Sequence, residues 1–197
     1  MGIEDFYFVR DVTKAESNVA IGMNRLLDYC EKKSSDSVWK TIRSLDFKSE
    51  IPKLRLWLED VLSSELPSDE INVFWFGLFN PILDNGESSC GLYISGSTKF
   101  DPHDETGNWA TWQDDSYFPE KRYAKSKILH EMYHLVSENA NVSNFAEYIL
   151  ALGYSCFVVK DLCHSINLKL LLGDRKRRDV AVGFDSGDFI ILEGIEG

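Results

Sequence analysis

The chain has 197 residues, 44% of them hydrophobic and 13% aromatic, which is enough for one folded domain with a substantial core and excludes a disordered chain. Its 32 acidic side chains against 21 basic ones leave a net charge of −11. That balance argues against nucleic acid or an anionic membrane as partner, since both need a cationic surface, and it suits a basic protein partner.

The first third reads as helical, over about 14–65. A helix over 15–33 carries Val19, Ile21, Met23, Leu26, Leu27 and Cys30 at helical spacing, and the polar run Ser34-Ser35-Asp36-Ser37 breaks it. A short helix over 38–47 follows. A third, over 50–62, tolerates Pro52 in its first turn. Strands come next. Residues 71–79 are β-branched and aromatic, Asp84-Asn85-Gly86 signals a turn, and 91–97 alternates as a second strand, so the two predict a hairpin. A long polar stretch over 98–120 interleaves acids with aromatics. A helix over 123–137 then carries the apolar stripe Ala124, Ile128, Met132 and Leu135. Two more helices are predicted over 144–153 and 155–172. The chain ends in a hairpin, 180–184 with 188–192, in which Gly187 is expected to take the positive φ of a tight turn. No repeat or linker divides the chain. The reading is one α+β domain spanning 1–197: a helical N-terminal third, a small, mostly antiparallel sheet with helices packed on it, and a C-terminal β-hairpin.

Cys30, Cys90, Cys156 and Cys163 form no C-x-x-C pair, so neither a disulfide framework nor a structural zinc knuckle is expected. The start, Met1-Gly2-Ile3-Glu4-Asp5, lacks the basic and apolar regions of a signal peptide, and no apolar run reaches membrane-spanning length. A cytoplasmic, reducing location is expected. The sequence carries no G-x-S-x-G elbow, P-loop or G-x-G-x-x-G.

One motif carries chemistry. His130-Glu131-Met132-Tyr133-His134 is the H-E-x-x-H pattern, and by itself it resembles zinc metallopeptidases. Two imidazoles four residues apart project from one helix face and can hold one Zn²⁺, with Glu131 as general base. The third ligand would be Glu147. Glu147 has a competing explanation, a capping box in which it reaches back to Asn144 at the start of the next helix. The two histidines also fall nearly opposite the apolar stripe, where a solvated pair needs no metal. The main reading therefore has no cofactor and no catalytic residue; the alternative is zinc on His130, His134 and Glu147.

The other candidate is the long stretch over 98–120. Asp101, Asp104, Glu105, Asp114 and Asp115 surround Trp109 and Trp112, and aromatic anchors in a polar rim predict a protein interface. The competing reading buries the tryptophans to hold the loop down.

Three segments carry a resemblance over roughly half the chain. They are Gly91-Leu92-Tyr93-Ile94-Ser95-Gly96-Ser97 with Phe100-Asp101, Tyr117-Phe118-Pro119-Glu120 with Arg122-Tyr123-Ala124, and the terminal hairpin from Val180 to Leu192. In these the chain resembles immunity-type proteins of bacterial toxin–immunity loci. The resemblance implies an α+β protein that binds and neutralises a cognate toxin by contact, without catalysis. The H-E-x-x-H motif is not part of it.

Overall fold

The computed structural model describes residues 2–104, 106–110, 115–185 and 187–197. Among them the chain forms seven α-helices and six strands, an α+β architecture with helices leading and strands ending the chain. The helices are α1 (Ile3–Ala15), α2 (Val19–Lys33), α3 (Val38–Arg43), α4 (Ile51–Ser64), α5 (Lys127–Ser137), α6 (Ser143–Ser165) and α7 (Leu168–Leu172). The strands are β1 (Val73–Phe79), β2 (Gly91–Ser97), β3 (Tyr123–Ala124), β4 (Arg177–Phe184), β5 (Phe189–Ile191) and β6 (Ile195–Glu196).

The helical region begins well before residue 14. The sequence reading missed α1 because an acid interrupts its inward stripe: Asp5 is buried beside Val9, Val12 and Thr13. That carboxylate is satisfied from three sides. It accepts from Gly2 N at 3.1 Å and from the Tyr29 hydroxyl at 2.9 Å, and it ion-pairs with Lys33. α1 and α2 are separate helices. Asn18 caps α2 by accepting from Ala20 N and Ile21 N, which sets its start four residues later than expected.

Two further boundaries differ from expectation. Tyr123 and Ala124 are not helical; they form β3 against β2, and α5 starts at Lys127. Its start is fixed by two oxygen-bearing side chains. Ser126 Oγ accepts from Leu129 N at 3.1 Å, and the buried Glu50 carboxylate accepts from Lys127 N at 2.7 Å and Ile128 N at 3.3 Å. A carboxylate is well placed there, at the positive end of the helix dipole. Residues 144–172 are not two helices split at Gly153. α6 runs unbroken through it and stops at Ile166. Gly153 serves close packing: a Cβ there would lie 2.1 Å from Leu26 Cδ1 of α2.

The sheet order is β3-β2-β1-β4-β5, with β6 pairing separately with β4. Four strand pairs are antiparallel; the central β1–β4 pair is parallel, as the helical crossover α5–α7 between their neighbours allows. Alternation divides β1 between two faces. Phe74, Phe76 and Leu78 join the main core beneath the helices, where α6 packs on α1, α2, α4 and α5 and on β1 and β4. Val73 and Trp75 face the other way, into a smaller cluster with Trp109 and Ala181. Among the described residues no helix is long and apolar enough to cross a membrane. Positive φ among the described glycines occurs at Gly86, Gly107 and Gly173; the turn that holds Gly187 runs through Ser186, which lies outside the described residues.

Candidate functional site

The H-E-x-x-H motif lies on α5, as its spacing predicts, but its face does not simply meet water. His130, Glu131 and His134 are all half-buried. The connection between β1 and β2 folds over the histidines. His130 Nδ1 lies 3.0 Å from Ser89 Oγ, and His134 Nε2 lies 3.7 Å from Glu87 Oε2. The two imidazoles meet edge to face, with centroids 4.4 Å apart. Glu131 pairs with Lys127 at 3.3 Å. Glu147 Oε1 accepts from Asn80 Nδ2 at 3.0 Å, which ties α6 to the same connection. α6 begins at Ser143 behind Val142, which places Asn144 inside the helix and not at its cap position. Among the described residues no three His, Cys, Asp or Glu side chains are grouped to hold a metal ion, so Glu147 does not join His130 and His134. In this arrangement the motif side chains dock a loop onto α5.

All four thiols are unpaired, and burial pushes those of Cys30, Cys90 and Cys163 up to about 12, so they are protonated at neutral pH.

The outer face of the sheet is the other candidate. Gly77 and Gly183 stand opposite each other on β1 and β4. Rings lie across both: a Cβ at Gly77 would meet Tyr93 Cε1 at 2.2 Å, and one at Gly183 would meet Trp75 Cη2 at 2.6 Å. The Tyr93 hydroxyl accepts from Trp75 Nε1 at 3.1 Å and donates to Asp185 Oδ1 at 2.6 Å. Burial, and then the Asp185 carboxylate, push that hydroxyl well above the usual tyrosine range, so it stays a donor. Towards β3 the rings continue. Phe79 lies 5.8 Å from Tyr93 and 5.2 Å from Tyr123, centroid to centroid. The Arg122 guanidinium sits 3.9 Å from the centre of the Phe118 ring and 4.5 Å from that of Tyr123. Phe118 and Tyr123 are 41% and 49% exposed, so this aromatic row reaches the surface.

The residues singled out in the long loop divide differently. Trp109 is buried, packed at 5.8 Å on Trp75, 5.4 Å on Phe189 and 4.9 Å on Phe100, and it holds the loop onto the sheet. The expected contact anchor at Trp109 is therefore an internal one. Asp101 and Asp104 stabilise turns by accepting from His103 N and Thr106 N. Asp115 is exposed. Its carboxyl is held below the ordinary value by the Thr98 hydroxyl, which donates to it at 2.7 Å. Glu105, Trp112 and Asp114 lie outside the described residues. Sequence reasoning missed Tyr93, Phe118, Tyr123 and Asp185. The signal for Tyr93 was present: it alternates with Leu92 and Ile94 and so faces away from the main core.

Compared with known proteins, the chain matches no family model, no curated protein and no solved structure.

Proposed function

We propose that this chain is an immunity-type binding protein that neutralises a cognate toxin by covering its active surface. The observation that carries this reading is the outer face of the sheet, where the exposed rings of Phe118 and Tyr123 adjoin Tyr93 and the carboxylate of Asp185. Aromatic side chains supply much of the energy at protein interfaces, and the chain's excess of acids would speed encounter with a basic partner. The reading fits the disposition of the motif side chains as well, since His130, His134 and Glu147 are engaged with the β1–β2 connection. Exposed Asp115 adds to the rim, while Trp109 contributes by fixing the loop from within.

The test is co-expression and titration with the protein encoded next to this one. Relief of its toxicity and a saturable one-to-one complex are expected, with association slowed by salt. Absence of both, together with one zinc per chain lost in His134→Ala, would replace this reading with a metalloenzyme.

A further inference from the structure

The outer face contains a built cavity of about 480 Å³, lined among others by Trp75, Tyr93, Phe118, Phe184 and Asp185. Its charge is one-sided. Asp185 supplies a carboxylate, and no lysine or arginine among the described residues lines the cavity. Residues 1, 105, 111–114 and 186, outside the described set, include none in their sequence. Asp185 is exposed, and its Oδ1 is fixed by the Tyr93 hydroxyl, itself fixed by Trp75 Nε1. The acceptor is thus oriented before anything binds, which lowers the entropy lost on binding. Carboxylates with aromatic faces beside them attract cations through charge and ring quadrupole together.

We infer that this cavity receives an arginine side chain presented by the partner protein, a step that rests on the binding function proposed above. Arginine fits better than lysine because its planar guanidinium can stack on a ring while its N–H groups reach a carboxylate. The molecule already shows that pairing in the same row of rings. Arg122 lies over Phe118, and Phe118 also lines the cavity. The incoming guanidinium donates to Asp185 and stacks between Tyr93 and Phe118; the neutral wall of the cavity accommodates the aliphatic stem.

The test uses N-acetyl-arginine amide, and N-acetyl-citrulline amide as a neutral analogue of nearly the same shape, titrated into the whole protein and followed by backbone amide NMR. Saturable shifts at Tyr93, Gly183 and Asp185 are expected with the arginine amide in the millimolar range. Binding should weaken about tenfold or more with citrulline, and likewise in Asp185→Asn, as loss of a charge-assisted hydrogen bond implies. Equal binding of the two amides, or shifts that map elsewhere, overturns the inference; this comparison needs no variant to fold. A partner complex unaffected by both Asp185→Asn and excess arginine amide also overturns it, while leaving the proposed function standing. Arginine amide binding with no partner complex at all removes the proposed function, and with it the assignment of the cavity to a partner's side chain.

Discussion

The inner and outer faces of the sheet are made by the same strands, yet they are finished differently. On the inner face Phe74, Phe76, Val180 and Val182 disappear under α6 and its neighbours. On the outer face the same strands place Trp75, Gly77, Ala181 and Gly183 under a loop and a row of rings. The inner face is closed by regular helices, so its sequence must be apolar and its few polar groups must be matched. The outer face is closed only partly, so it can keep tyrosines, glycines and an exposed carboxylate. A surface that pairs buried anchors with exposed rings and one fixed charge is what a binding face needs, and a fully covered face cannot supply it.

The largest expected effect lies on the inner side. Arg178 is fully buried and, among the described residues, forms no ion pair with a carboxylate. Its guanidinium donates to Ile71 O at 2.8 Å, Leu171 O at 2.6 Å and Ser68 O at 3.0 Å, and stands 4.8 Å from the centre of the Phe74 ring. Burial, and then Arg175, lower its pKa to about 10, which leaves it charged at neutral pH. Arg178→Ala orphans three carbonyls and opens a cavity, so about 3 kcal/mol or more of stability should be lost, read from the urea midpoint. A loss under about 1 kcal/mol would mean those carbonyls find water, and that the inner face is less closed than its burial indicates.

Trp109→Ala probes the outer face in the same way and should cost somewhat less, about 2–3 kcal/mol, because a loop can readjust where a helix layer cannot. Proteolysis should then cut first within 98–118. Unchanged stability and protease resistance would show that the loop is not held by its tryptophan, and the outer face would cease to be a second core.

Acid sensitivity sharpens the contrast. Burial pushes the Asp5 carboxyl up, but the Lys33 ammonium, Gly2 N–H and Tyr29 hydroxyl outweigh it, and its pKa lies below the ordinary 3.8. A carboxyl with a depressed folded pKa contributes stability that is present above the unfolded value and is lost as pH falls through the folded one. Melting temperature should therefore fall as pH drops below about 4, and Lys33→Met should make that fall shallower. An identical acid slope in the variant would separate Lys33 from the effect.

Much of the fold was legible, for physical reasons visible at particular residues. The strands β1, β2, β4 and β5 announce themselves because β-branched and aromatic residues run together between clear turn signals. α2 and α4 show because their buried sides are purely apolar. α1 was hidden by Asp5, whose three partners lie partly on α2, beyond any local window. Gly153 was misleading because a glycine reads as a breaker unless the facing Leu26 is known. The histidine spacing was plain, but its partners Ser89 and Glu87 belong to a distant connection. The outer-face site was the least legible. Tyr93 and Asp185 are 92 positions apart, and only the parallel pairing of β1 with β4 brings their strands near each other.

The smallest effect on stability should be the most informative about function. Tyr123 is half exposed, begins a two-residue strand, and contacts Phe79, Tyr93 and Arg122 along one side. Tyr123→Ala removes a ring that is already half in water, so stability should change by no more than about 0.5–1 kcal/mol. If the outer face is the contact surface, the same change should weaken partner binding by about 2 kcal/mol, because a ring half exposed in the free protein becomes fully desolvated in the complex. Trp109→Ala should give the reverse pattern: a large loss of stability, with binding reduced only as far as the loop is displaced. Measuring both quantities on both variants separates a residue that makes the surface from one that supports it. If Tyr123→Ala binds like the wild type, the exposed end of the aromatic row lies outside the interface, and the contact must be sought elsewhere on the outer face.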